Sequence, residues 1–115
     1  MEESYNINFI IRNKQMSNFE NINVNKLEEI IDKINLIDIR ERDEYVLRSL
    51  KYTKNIPMHE LLENYEEYLD INKEYYLICE TGRRSMITAA ELADAGYKVI
   101  NVTGGTSGYL GKNFN

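Results

Sequence analysis

The chain has 115 residues, of which 43% are hydrophobic and 29% charged, and this composition predicts one folded domain with a core of its own. Its formal net charge of −5 argues against a nucleic-acid partner, because binding phosphates needs a basic surface. No apolar run approaches the roughly 20 residues that cross a bilayer, and Met1–Ser4 lack the basic start of a secretory signal, so we expect a cytoplasmic protein with no membrane partner.

Residues 1–20 are predicted to be an N-terminal extension, either a strand or a flexible arm. Tyr5, Ile7 and Phe9 alternate with polar residues, as in a half-exposed strand. The main domain is expected over residues 21–115.

The rest of the chain alternates between predicted strands and helices. The helix predicted over 26–33 has Asn25 as its N-cap, with Glu28 completing a capping box. The elements, in chain order, are a short strand at Ile22 and Val24, the helix over 26–33, a strand over 35–39, a helix over 41–47, a connection over 48–57, one or two helices over 58–69, a strand over 75–79, a helix over 85–95, a strand over 98–102, a turn over 103–106 and a last short helix.

This alternation predicts an α/β fold with a mostly parallel central sheet and helices on both faces. In such sheets ligands bind beyond the carboxyl ends of the strands. Asp38, Cys79 and the pair Gly104 and Gly105 fall at or just after predicted strand ends. We therefore expect them to line one rim of the sheet.

Cys79, the chain's one cysteine, ends an apolar strand and faces a loop that opens a helix. Backbone N–H groups converge at such a position, and Arg83 and Arg84 add positive charge. In such settings a cysteine pKa can fall from about 8.5 to about 3.5–7.5, so the pattern favours a reactive thiol. The alternative is a structural cysteine, since free cysteine often packs as a small buried hydrophobe.

Five short motifs resemble, in order and spacing, those of single-domain rhodaneses (thiosulfate sulfurtransferases), from about Ile22 to Tyr109. They are Asp38-Ile39-Arg40 with Glu44-Tyr45, Asn55-Ile56-Pro57, the active loop Cys79-Glu80-Thr81-Gly82-Arg83-Arg84-Ser85, Ala95-Gly96-Tyr97, and Gly104-Gly105. The resemblance implies that the Cys79 thiolate takes a sulfane sulfur from a donor and passes it, as a persulfide, to a nucleophilic acceptor. It implies a small donor (thiosulfate, polysulfide or persulfide) and a thiol acceptor, small or protein, with no cofactor.

No metal is expected either, because the chain lacks a cluster of cysteine and histidine. His59, its one histidine, is expected at a helix start and not as a base for Cys79.

The loop residues from Glu80 to Ser85 are expected to cradle the transferred sulfur with their N–H groups. Gly82 supplies a backbone angle that a Cβ would oppose. Ser85 is either a helix N-cap or a hydrogen-bond donor to the thiolate. Arg84 is expected to hold the loop, and Arg83 to touch the substrate. Glu80 opposes an anionic donor and disfavours the thiolate unless Arg83 offsets its charge.

Two supporting residues, Asp38 and Arg40, precede the helix predicted over 41–47. Arg40 and Glu44, four residues apart, are expected to form an ion pair. Asp38 either fixes the active loop by accepting hydrogen bonds or caps the following helix.

Other functions stay open at this level. Cysteine-dependent phosphatases and arsenate reductases place five residues between cysteine and arginine, whereas four separate Cys79 from Arg84. The shorter loop suits one sulfur atom better than a tetrahedral oxyanion. A non-catalytic docking or regulatory module is the second alternative, although such domains commonly lose the cysteine that this chain keeps. A persulfide carrier would share the chemistry and differ in its partner.

Overall fold

A five-stranded parallel sheet forms the centre of the computed structural model, which describes residues 18–115. The strands are β1 (Glu20–Asn23), β2 (Leu36–Asp38), β3 (Thr53–Asn55), β4 (Glu74–Ile78) and β5 (Lys98–Thr103), and their order is β1-β5-β4-β2-β3. The strand predicted around Tyr5 and Phe9 lies outside the described residues. The prediction of a parallel α/β sheet is confirmed.

Helical segments of two kinds cover the sheet. The α-helices are α1 (Arg42–Leu47), α2 (Met58–Glu63), α3 (Tyr65–Tyr68) and α4 (Arg83–Asp94), and the 3₁₀ segments are Val24–Leu27, Ile31–Lys33 and Thr106–Gly108. None of the helices within residues 18–115 combines the length and the apolar character that a membrane crossing requires.

Each face of the sheet has its own apolar core, because side chains alternate along a strand. On one face Leu77 and Val99 pack with Leu61 of α2 and Leu92 of α4. The other face contributes Leu36, Ile78 and Val102, which pack against the 3₁₀ residues Val24, Leu27 and Ile31. Burying each of these side chains stabilises the fold by about 1.5–3 kcal/mol. The prediction of helices on both faces holds, with 3₁₀ helices covering the second face.

The helix predicted over 26–33 is wrong, since this stretch forms two 3₁₀ segments separated by a turn. Asn23 is the N-cap, because its side chain accepts a hydrogen bond from the backbone N–H of Asn25. The Asn25 side chain instead holds the C-terminal segment, donating to the Gly108 carbonyl and accepting from Leu110 N–H. Long-range contacts have thus replaced the local capping box.

The connection expected over 48–57 contains a strand, β3, that the sequence pattern did not indicate. It has three half-exposed or exposed residues, and among the strands of residues 18–115 it pairs with β2 alone, at the sheet edge. Asn55 then ties this edge to the end of β2, because its side-chain amide donates to the carbonyls of Asp38 and Arg40.

The elements around Cys79 match expectation more closely. Strand β4 ends at Ile78, one residue before the cysteine, and β5 runs to Thr103. Helix α4 begins at Arg83, two residues earlier than the pattern suggested, so Arg83 and Arg84 lie in its first turn.

Candidate active site around Cys79

Cys79 lies where β4 gives way to α4, with its sulfur facing the start of that helix. Its Sγ accepts hydrogen bonds from the backbone N–H groups of Gly82, at 3.2 Å, and Ser85, at 3.3 Å. Gly82 is the residue before the helix, and its φ of +96° is in the left-handed region, as predicted for this position. Two amides and the positive end of a 12-residue helix therefore point at one sulfur atom.

Burial and polarity at Cys79 favour different interpretations. Only 1% of the residue is exposed, and it belongs to the apolar cluster between the sheet and α4, as a structural cysteine would. A merely space-filling thiol does not need two amides aimed at its sulfur. The hydrogen bonds therefore favour the interpretation of Cys79 as a reactive residue over that of a structural one.

Of the two roles expected for Ser85, the structure excludes that of helix N-cap. The helix N-cap is Gly82, and the Ser85 hydroxyl donates to Oδ1 of Asn101 at 2.6 Å. Its oxygen in turn lies 3.4 Å from Cys79 Sγ and accepts the thiol hydrogen. Sequence reasoning missed Asn101, although one amide inside the apolar strand β5 is an available signal. This residue is 2% exposed.

Asp38 reaches the active loop through Arg40. The Asp38 carboxylate accepts from the backbone N–H of Arg40 and from its guanidinium, while Nη1 of Arg40 binds Oε1 of Glu80 at 3.0 Å. Burial alone would lower the pKa of Arg40, but the hydrogen bond and charge of Asp38, together with Glu80, raise it. The cation that pairs with Glu80 is therefore Arg40, whereas the sequence pattern had offered Arg83 for that role.

Arg84 pairs with Glu44 through two hydrogen bonds of 2.9 and 3.0 Å, which join the first turn of α4 to α1. The hydrogen bond from Arg84 lowers the pKa of Glu44 to about 2, and the same contact raises the pKa of Arg84. The expected ion pair between Arg40 and Glu44 does not form. Arg40 precedes α1, whose N-cap is Glu41, so helical i,i+4 geometry does not apply to it.

The turn after β5 binds the active loop through hydrogen bonds to the loop's backbone. The N–H of Thr106 donates to the Cys79 carbonyl at 2.9 Å, and the N–H and hydroxyl of Ser107 both donate to the Glu80 carbonyl. Gly105 makes this approach possible, because a Cβ there would lie 2.5 Å from the Cys79 carbonyl oxygen. The ends of β2, β4 and β5 thus meet on one rim, where the sequence placed them.

The outer side of the site carries the remaining loop residues. Thr81 and Arg83 are exposed, and Arg83 makes no ion pair with any residue between 18 and 115. His59 lies at the start of α2, is 61% exposed and faces Glu41 at 3.8 Å. Arg83 is therefore the one candidate-site arginine whose charge no carboxylate in this part of the chain neutralises.

A family model described as a rhodanese-like domain matches residues 23–112. Among curated relatives, "Putative sulfurtransferase YtwF" of Bacillus subtilis is 36% identical over 84 residues, which cover 73% of this chain and 81% of that protein. "Putative sulfur carrier protein YrkF" of the same organism is 37% identical over 82 residues. That match covers 70% of this chain and 44% of YrkF, so the chain spans less than half of that relative.

Solved structures show the same fold. A crystal structure of a protein from Staphylococcus saprophyticus is 29% identical, with a TM-score of 0.77 over 84% of this chain and 99% of that one. A rhodanese-related protein from Thermoplasma volcanium is 33% identical, with a TM-score of 0.70 over 78% and 90% of the two chains.

Proposed function

We propose that this chain, which belongs to the rhodanese-like domain family, is a sulfurtransferase that carries a sulfane sulfur as a persulfide on Cys79. The observation that supports this most directly is the pair of amides, from Gly82 and Ser85, that donate to the cysteine sulfur. Relatives named sulfurtransferase and sulfur carrier agree with the same class of chemistry.

The reaction has two displacement steps at sulfur. The Cys79 thiolate attacks the sulfane sulfur of the donor, an S–S bond forms, and the rest of the donor leaves with the electron pair of the broken bond, as sulfite does from thiosulfate. A thiolate acceptor then attacks the outer sulfur of the persulfide and releases the Cys79 thiolate. Amides of the loop and the N-terminus of α4 stabilise the negative sulfur in both states.

The charges around the site favour a donor of low negative charge. Arg40 is neutralised by Asp38 and Glu80, and Arg84 by Glu44, which leaves Arg83 to attract an anion at the loop. The Glu80 side chain is 42% exposed and follows the nucleophile directly, so it repels a dianion more strongly than a monoanion. A persulfide of a small thiol or of a protein is therefore favoured over thiosulfate as the natural donor.

Intact-mass measurement tests the proposal. Incubation of the chain with a polysulfide, and separately with thiosulfate, should add the mass of one sulfur atom, and a thiol such as dithiothreitol should remove it. Cys79→Ser is the matched control, because it keeps the size of the side chain and should gain nothing.

Two results would reject sulfur transfer. If the wild-type chain gains no sulfur from either donor, the cysteine is structural and a docking module is the better interpretation. If the chain hydrolyses an aryl phosphate and loses that turnover in Cys79→Ser, the function is that of a phosphatase.

A further inference from the structure

A buried row of hydrogen bonds leads from the cysteine sulfur to the edge of the sheet. Cys79 Sγ lies 3.4 Å from the Ser85 hydroxyl, which donates to Oδ1 of Asn101, and Nδ2 of Asn101 donates to Oδ1 of Asn21 on β1 at 3.0 Å. Ser85 is fully buried and Asn101 is 2% exposed. Asn21 and Asn101 are register partners on neighbouring strands, so the backbone itself fixes this part of the row.

We propose that Asn101 is a positioning residue that restrains the ionisation of Cys79 by directing the Ser85 hydroxyl hydrogen away from the sulfur. A hydroxyl has a single hydrogen to donate. Because that hydrogen goes to Asn101, a lone pair of the Ser85 oxygen faces the sulfur. A lone pair accepts from a thiol but repels a thiolate, so this contact favours the protonated sulfur while the two amides favour the ionised one.

The orientation of the Asn101 amide depends on Asn21. The Asn21 oxygen accepts from Nδ2 of Asn101, which leaves Oδ1 of Asn101 as the atom that faces Ser85. Were this amide reversed, its NH₂ group would donate to Ser85, and the hydroxyl hydrogen would be free to turn to the sulfur. Asn21 is exposed, so this end of the row lies at the protein surface.

Such restraint is useful in sulfur transfer, and in this respect the inference rests on the proposed role of Cys79 as the nucleophile. A thiolate that is stabilised too strongly becomes a weaker nucleophile, and the best attacking thiol ionises near the ambient pH. The two amides and the Ser85 lone pair act on the sulfur in opposite directions.

The charged groups of the candidate site are separate from this neutral row. They are Arg83 and Arg84 on α4, Glu80 in the loop, and Asp38 with Arg40 at the end of β2. A substitution at Asn101 should leave intact the ion pair of Arg84 with Glu44 and those of Arg40 with Asp38 and Glu80. Their effect on the sulfur is therefore the same in the wild type and in an Asn101 variant.

The test is the pH dependence of alkylation by iodoacetamide, which reports Cys79 alone because the chain has one cysteine. In Asn101→Leu the Ser85 hydroxyl loses its acceptor and turns to the sulfur, so the pH midpoint should fall by about 0.5–1 unit, the effect of about one hydrogen bond. In a Ser85→Ala background the same substitution should leave the midpoint where it is, since Asn101 acts only through Ser85.

Control variants separate this effect from loss of stability. Val102→Ala truncates the neighbouring buried residue on β5 and should lower the thermal midpoint without moving the alkylation midpoint. If Asn101→Leu does not fold, the exposed substitution Asn21→Ala frees the amide to turn and should give a smaller shift in the same direction.

An unchanged or raised midpoint in folded Asn101→Leu would overturn the inference, as would an equal shift in the Ser85→Ala background. If only Asn21→Ala folds, an unchanged or raised midpoint would overturn it too. These results are separate from the proposed function, because alkylation needs no sulfur donor. A chain that gains no persulfide but shows the expected shift would refute the function and keep the hydrogen-bond mechanism.

Discussion

Gly105→Ala should both impair sulfur loading and destabilise the fold. The new Cβ would lie 2.5 Å from the Cys79 carbonyl oxygen and closer still to that of Glu80, whereas contacts of real Cβ atoms are essentially never under 3.0 Å. Both clashing oxygens belong to the backbone, so rotation of a side chain cannot relieve the clash. Relief requires the Cys79–Glu80 peptide to move by about 0.5 to 0.9 Å, because the Cys79 carbonyl oxygen must go from 2.5 Å to between 3.0 and 3.4 Å, and the nearer Glu80 carbonyl must move further.

The magnitude follows from the position of that peptide. It carries the nucleophile, and displacing a reacting group by about 1 Å can reduce a rate by about a hundredfold, so we expect a reduction of about 10- to 100-fold in persulfide formation. Gly105 also has φ +63° and ψ −167°, a conformation that is essentially restricted to glycine. Strain of this kind costs of order 1–3 kcal/mol of folding free energy.

Two other glycines provide matched controls. Gly96 has φ +98°, but a Cβ there meets only the end of the Ile71 side chain, at 3.7 Å. Gly96→Ala should therefore cost about 1–2 kcal/mol of stability with the loading rate unchanged. Gly108 lacks a positive φ, and its Cβ would lie 3.8 Å from Val24, so Gly108→Ala should affect neither quantity strongly.

The assay is the rate of sulfur gain by intact mass, measured beside urea unfolding for all three variants. Wild-type loading in a folded Gly105→Ala variant would refute the argument that this turn sets the position of Cys79. An equal loss of loading in Gly96→Ala would show that general strain, rather than the local contact, is responsible.

Three further predictions concern charges and hydrogen bonds near the rim. Because the pKa of Glu44 falls from 4.5 to about 2 on pairing with Arg84, Glu44→Gln should lower stability by about 0.2–1 kcal/mol at pH 7, a magnitude limited by exposure. That difference from the wild type should shrink as the pH falls below 4.5 and vanish near 2, and a difference that persists in acid unfolding curves would contradict the pairing. Glu80→Gln should raise kcat/KM for thiosulfate, a dianion, by about 2- to 10-fold relative to methanethiosulfonate, a monoanion. High salt should reduce this gain, and equal gains for both donors would rule out a charge effect. Tyr109→Phe removes the hydroxyl that binds Glu28 and accepts from Asn113, so it should cost about 1–3 kcal/mol in urea unfolding. A loss of loading without that loss of stability would contradict a purely structural role for Tyr109.

The sequence predicted most reliably those elements whose apolar pattern is set by the sheet itself. Strands β4 and β5 are covered on both faces, so their apolar runs stand out from the surrounding chain. Helix α4 is long enough for its pattern to be recognised and ends before Gly96, which has a positive φ. The meeting of strand ends at Cys79 then follows from the parallel arrangement.

Predictions from local sequence failed where residues distant in the chain form hydrogen bonds with the side chains that the local pattern had assigned to a helix cap. Asn25 and Glu28 have the spacing of a capping box, yet the C-terminal segment uses both, through Leu110 and Asn113. Strand β3 went unpredicted because three polar or half-buried residues at a sheet edge have too little apolar pattern to stand out.

The arginines of the site show why a motif locates chemistry more easily than it assigns partners. Arg40, Arg84 and two of their carboxylates, Glu44 and Glu80, permit more than one pairing on spacing alone, and the nearest in sequence is not the one that forms. Folding brings β2 beside β4, so Arg40 is placed next to the loop that begins at Cys79, and Asp38 fixes its guanidinium there. Glu44 on α1 then forms its ion pair with Arg84. Pairing at this rim is therefore decided by strand order, a property of the whole sheet that no local stretch of sequence contains.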